Sequence, residues 1–289
     1  MGLVYLLVNQ EPTTREISQS PITHGNNKAI LILSQGKTID LSPDHALPLL
    51  PEGIDLVLQG DKLIYVSDST AEKEKQHYEL ITPRGGEFKI TLPDGTFVHL
   101  NSNSKLRFPK NFAPDKREIF LSGEAYFEVT HNEDKPFVVQ TNKCNVEVLG
   151  TKFNVEAYSD SEDFCTSLME GSVRVSDKGN PSETVLLSPN HMVSLENGQL
   201  STSPILDFDV FRWKEGLICF RNMNFEQLML RFEKCYGVRI VVENKHLVNY
   251  ICSGKFRISD GIDNALRILQ KDAKYSFERN NDESVIYIK

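Results

Sequence analysis

The sequence has no hydrophobic run long enough to cross a membrane. The apolar start Leu3–Val8 covers six residues, against roughly 20 for a membrane helix. No basic region precedes it and no small-residue cleavage site follows, so it does not read as a signal peptide. Cysteine is scarce. Cys144, Cys165, Cys219, Cys235 and Cys252 are odd in number and contain no C-x-x-C pair. That argues against zinc and thioredoxin-like chemistry and against a disulfide framework. Most should be small buried apolar residues, with a Cys144–Cys165 bridge conceivable between nearby strands. A basic excess is also missing: the net charge is −8, which disfavours nonspecific binding to nucleic acid. None of the seven histidines forms H-x-H or H-E-x-x-H, and His99 and His191 fall at outward or edge positions of expected strands. Neither a nucleophile elbow nor a complete phosphate loop is present. Leu149-Gly150-Thr151-Lys152 reads as a tight turn between strands. No catalytic, cofactor or metal residue is expected.

The residues that are present alternate. In GEFKITLPDGTFVHL, Phe88, Ile90 and Leu92 alternate with Glu87, Lys89 and Thr91. Pro93-Asp94-Gly95 then supplies a turn, and alternation resumes at Phe97 and Leu100. Period-two patterning on both sides of such a turn predicts a β-hairpin. Pro fixes φ, Asp bonds to its own backbone, and Gly accepts φ > 0. KAILILSQGKTIDL and IDLVLQGDKLIYV repeat the pattern more weakly around Gly36 and Gly60. Glu118–Val129 reads as a further pair of strands broken at Ser122-Gly123, with Leu121, Ala125, Phe127 and Val129 inward. Short strands follow to Leu195. Glu170-Gly171 is expected to close one hairpin, and Thr184–Leu187 is expected to pair with His191–Leu195. The prediction for 28–200 is a mainly β domain of stacked hairpins, a sandwich or an irregular β-solenoid, with no helix beyond two turns. Glu124 and Glu128 lie on one face, opposite the inward residues, and read as solvated. Their spacing along a strand, about 13 Å, does not suit a glycosidase pair.

After residue 200 the pattern changes. Residues 201–212, with Pro204 and two aspartates, read as a linker, and Trp213 as a staple of the second domain to it. From Trp213 the order is β-α-β, β-α-β-β. Asn224 caps a helix with the stripe Phe225, Leu228, Met229 and Phe232, and Gly237 ends it. Ser259 or Asp260 caps a second helix with the stripe Ile262, Ala265, Leu266 and Leu269. A hairpin across Asn280-Asn281-Asp282 closes the chain. This segment holds 13 basic and 10 acidic residues, a net of +3, and the remainder carries −11.

LPDGTFVHLNSNSKLRFP, REIFLSGEAYFEV, PFVVQT and VEVLGTKFNVEAY resemble, in order, the FecR domain of transmembrane regulators of extracytoplasmic-function sigma factors. The final segment is similar to the C-terminal domain of such regulators, which is akin to the secretin/TonB short N-terminal fold, a small protein-binding module. The resemblance implies a regulator without enzymatic activity. Pro93, Asp94, Gly95, Gly123, Phe127 and Gly150 are then turn and core residues, with the core motif at 82–175. It implies a periplasmic chain that receives the signalling domain of a TonB-dependent outer-membrane transporter. The message would pass through a single-pass membrane anchor to a sigma factor held by a cytoplasmic segment. Residues 1–27 then read as the stump of the membrane helix, Met1–Val8, and a polar stem; a frayed start or first strand is the alternative for Met1–Val8. On the strand from Val238 to Glu243, Arg239, Val241 and Glu243 form a candidate partner-binding face. The rival reading is a secreted carbohydrate-binding β module with an accessory domain. It needs an exposed aromatic platform, whereas Phe88, Phe97, Phe120, Phe127 and Phe153 mostly fall on the inward alternation.

Overall fold

A computed structural model describes residues 28–34, 36–42, 50, 56–66, 76–206, 208–280 and 284–289. The expected stem and membrane stump, and Asn281-Asp282 of the expected last hairpin turn, lie outside these residues. Among the described residues no helix is long and apolar enough to cross a membrane.

Up to Pro204 the chain alternates between two sheets. β1 (Ile30–Ile32) and β2 (Thr38–Asp40) form a hairpin in the first sheet, and β3 (Leu56–Gln59) and β4 (Lys62–Tyr65) form one in the second. β5 (His77–Thr82) returns to the first; β6 (Phe88–Thr91) and β7 (Phe97–Leu100) pair in the second. β8 (Ser104–Pro109) joins the first sheet, followed by β9 (Arg117–Glu128). β10 (Phe137–Gln140) and β11 (Cys144–Val148) lie in the first sheet, β12 (Lys152–Ala157) and β13 (Cys165–Glu170) in the second. β14 (Val173–Asp177) and β15 (Thr184–Leu187) belong to the first, β16 (His191–Glu196) and β17 (Gln199–Pro204) to the second. The first sheet runs β2-β1-β5-β8-β9-β10-β11-β14-β15. The second runs β3-β4-β6-β7-β9-β12-β13-β16-β17. The inner faces share one core that includes Leu31, Leu63, Phe88, Leu106, Phe127, Phe153 and Val193. The rings of Phe127 and Phe153 stack with centroids 5.1 Å apart.

The repeated alternating segments thus form a mainly β body of stacked hairpins, and four sequence readings are corrected. Glu118–Val129 is not two strands. β9 is one strand whose first half pairs with β8 and β10 and whose second half pairs with β7 and β12. The change of sheet falls at Gly123, where φ is 120°. Glu170-Gly171 is not a hairpin turn, because β13 pairs with β12 and β16 while β14 pairs with β11 and β15. Gly171, at φ 95°, carries the chain between sheets. β15 and β16 likewise lie in opposite sheets and do not pair. Phe97 and Phe120 are only half-buried, because outward positions of both strands carry them.

From Leu217 a second core forms around Ile218, Phe225, Leu228, Phe232, Leu266 and Ile286. β18 (Leu217–Asn224) pairs with β20 (Ile251–Arg257). β19 (Arg239–Val242) runs parallel to β22 (Val285–Ile288), which also pairs with β21 (Phe277–Asn280). α1 (Phe225–Tyr236) precedes β19, and α2 (Ile262–Ala273) precedes β21. The order is the expected β-α-β, β-α-β-β. Asn224 caps α1 by accepting the Gln227 amide at 2.8 Å, and Gly237 ends it at φ 67°. The cap of α2 is instead Gly261, at φ 79° and without a side-chain bond, so neither Ser259 nor Asp260 serves. A one-turn 3-10 segment (Ile258–Asp260) occupies those residues and displaces the cap.

Candidate functional site

The predicted turn and core residues occupy three separate places. Pro93, Asp94 and Gly95 make the β6–β7 turn, with Gly95 at φ 83°. Asp94 accepts the Thr96 amide at 3.1 Å and pairs with Arg117 at 2.8 Å. Arg117 is the largest fully buried side chain of the described residues. It also donates to the carbonyls of Thr130 at 2.7 Å, Lys135 at 2.8 Å and Leu149 at 3.3 Å, which ties the turn to the segment before Gly150. Burying a guanidinium demands this many acceptors. Phe127 lies between the sheets, and Gly123 lies mid-way along β9, where the strand passes from one sheet to the other. The Gly150 backbone passes so close to His131 that a Cβ there would approach it to 2.6 Å. On β19, Arg239 is exposed and Val241 half-buried; Glu243, just beyond the strand, is exposed.

The polar site lies elsewhere, on the outer face of the second sheet. Register sets Asn154 opposite Tyr126, and Tyr126 opposite His99. In the next row Glu124 is opposite Glu156, and Glu156 is opposite Cys165. The C-terminal module covers these rows. A 3-10 segment at Phe208–Glu215 lays Phe211 and Trp213 on the sheet. Trp213 packs its ring 4.8 Å from that of His99 and donates from Nε1 to Asn154 Oδ1 at 3.1 Å. Trp213 therefore staples the connector to the β body rather than to the second module. For the same reason His99 is buried, where an outward position was expected.

Glu124 corrects a second expectation. It is 6% exposed, while Glu128 is exposed. Its carboxylate accepts from Asn101 Nδ2 at 2.7 Å and Asn154 Nδ2 at 3.0 Å. Both amides are oriented, since Asn101 Oδ1 accepts the Ser102 amide and Asn154 Oδ1 accepts from Trp213. Burial, then the charge of Glu156, pushes the Glu124 carboxyl up to about 7, against the opposing pull of Arg231 and the two amides. A cleft of about 420 Å³ opens here between the modules. Glu124, Ser102 and Glu156 line one wall, and Met223, Leu230 and Arg231 line the other. Arg231 donates to the Cys219 carbonyl at 2.9 Å.

The end of α1 fastens the module to the body. The Lys234 carbonyl accepts the Gly85 amide at 2.8 Å. Lys234 Nζ lies 3.3 Å from Asp160 and 3.7 Å from the Tyr158 ring centroid. Arg84 reaches Glu233 at 3.5 Å. Sequence reasoning read Glu124 as solvated and missed Asn101, Asn154, Arg231, Glu233 and Lys234, because the periodicity of a strand or helix marks a covered outer face and a wet one identically. All five cysteines are free, so Cys144 and Cys165 form no bridge. Burial pushes the Cys165 thiol up to about 12 and the Cys235 thiol up to about 11.

Residues 78–174 match the FecR protein family, and residues 217–287 match the FecR C-terminal family. A crystal structure of a candidate anti-sigma factor from Parabacteroides distasonis is 30% identical, with a TM-score of 0.66, over 73% of this chain and 98% of that one. The chain belongs to the FecR family of anti-sigma factors. A second crystal structure, also of a candidate anti-sigma factor from Parabacteroides distasonis, is 29% identical with a TM-score of 0.67 over the same shares. No curated protein matches the chain. A sigma factor is the partner that this family implies.

Proposed function

We propose that this FecR-family chain is the periplasmic, signal-receiving part of an anti-sigma factor. The C-terminal module takes the signalling domain of a TonB-dependent outer-membrane transporter. The change passes through a single-pass membrane anchor to an extracytoplasmic-function sigma factor held by a cytoplasmic segment of the full-length protein. The observation that carries the reading is β19. Among the described strands it pairs only with β22, so its other side offers a ladder to an incoming strand. Arg239, Val241 and Glu243 flank that ladder as the proposed contact face. The module's net of +3 steers an acidic partner, most strongly at low salt.

The test is titration calorimetry of the full chain against the signalling domain of the neighbouring transporter. We expect a Kd on the order of micromolar. Val242→Pro should weaken binding at least about tenfold, because by strand alternation this amide faces the open side, and proline there blocks addition while sparing the β19–β22 ladder. Equal binding by the variant would place the contact elsewhere. No binding by either chain, with a specific glycan-array hit, would favour the carbohydrate-binding reading.

A further inference from the structure

Glu233 stands at both the partner edge and the junction. It lies in the last turn of α1 and is 8% exposed. Its Oε1 accepts the Ile240 amide at 2.5 Å, and its Oε2 lies 3.5 Å from Arg84 of the β body. The side on which Ile240 points is fixed by its neighbours. The amides of Arg239 and Glu243 donate to Ser284 and Ile288, toward β22, at 3.0 and 2.8 Å. By alternation the Ile240 amide faces the open side of β19. A side-chain carboxylate therefore occupies the first ladder position that an added strand would use.

We propose that Glu233 is a gate between the two functions of this helix end. An extended segment of the partner pairs with β19 by taking the Ile240 amide from Glu233. The released carboxylate swings out and lets go of Arg84, and the end of α1 loosens from the β body. This rests on the reading that β19 receives a strand. A buried carboxylate needs its donors, so losing the Ile240 amide removes the reason for Glu233 to stay under the helix. The adjacent strap responds with it: the Lys234 carbonyl that holds the Gly85 amide is one residue away, and the Gly237 amide closes the same turn on the Glu233 carbonyl at 3.0 Å. Coupling of this kind is reciprocal, so a looser junction favours strand addition.

The experiment uses the full chain, amide hydrogen exchange at Ile240 and Gly85, and calorimetry with the transporter signalling domain. Glu233→Ala should speed exchange at Ile240 and bind the domain about fivefold more tightly, since a competing acceptor is gone. Glu233→Gln keeps an acceptor and the side-chain volume, so it should fold as the parent does and bind with intermediate strength. In the parent chain, binding should protect Ile240 and speed exchange at Gly85. If all three chains bind equally, the gate falls while the reading of β19 stands. If binding protects Ile240 and leaves Gly85 unchanged, the link to the junction falls. If none of the chains binds the domain, the proposed function falls and the gate with it.

Discussion

Glu124 shows what a single covered residue does to the whole fold. Its carboxyl holds a proton more tightly in the folded chain, at about 7, than at its ordinary value of 4.5. Folding therefore binds a proton between those values, and stability should fall as pH rises from about 4.5 to about 7 and level off above, by up to about 3 kcal/mol. Glu124→Gln should remove that slope in urea titrations repeated across pH. It should also cost about 1 kcal/mol at pH 5, because Asn101 and Asn154 donate to different carboxyl oxygens and the Nε2 replacing one of them cannot accept. A slope that survives the substitution would assign it to other groups. Gly95 is the opposite case, legible from Pro93-Asp94-Gly95 alone. With φ at 83°, Gly95→Val should destabilise the β body by roughly 1–3 kcal/mol through backbone strain, seen as an earlier urea midpoint. Asp94 was readable as a turn former, but its ion pair with Arg117 was not, since 23 residues separate them.

At the scale of elements, local patterns were legible and connections between sheets were not. The hairpins β1–β2, β3–β4 and β6–β7 follow from period-two runs around a glycine. α1 follows from Asn224, its apolar stripe and Gly237. What the pattern lacks is any mark of which sheet a strand joins, because a strand crossing between layers keeps its period of two. Gly123 could have signalled it only as a glycine within a strand. Its physical need is clear in space. A Cβ at Gly123 would lie 2.2 Å from Ser104 Oγ and 2.6 Å from Ser104 Cα, and φ is 120°. Gly123→Ala should therefore cost more than Gly95→Val, about 2–4 kcal/mol, even though alanine is the smaller side chain. The reverse order in parallel denaturations would mean that β8 and β9 can separate there without loss.

For the whole molecule, the change from an all-strand segment to a helix-bearing one was legible as a change of period, and the contact between their two cores was not. The junction joins residues from the β5–β6 turn, β9, β12 and α1, each unremarkable in its own segment. It is tightest where two glycines meet. A Cβ on Gly85 would lie 3.2 Å from the Gly237 amide nitrogen, and one on Gly237 would lie 3.0 Å from the Arg84 carbonyl. The ion pairs around it each have one well-exposed partner, Arg84 or Asp160, and contribute little by themselves, so the close approach of backbones and the buried Trp213 should dominate. Gly85→Ala should then open the junction and speed proteolytic cleavage within 205–216 by about tenfold, since protease access follows local opening. The substitution also strains a left-handed residue, at φ 76°, and that effect needs its own control. Gly60→Ala supplies it: Gly60 has φ 60° and nothing within 4 Å of its added Cβ. It carries similar strain in the same body without touching the second module. Faster cleavage in Gly85→Ala alone would locate the effect at the junction. Equal acceleration in both would mean that strain in the β body, and not contact between modules, governs access to the connector.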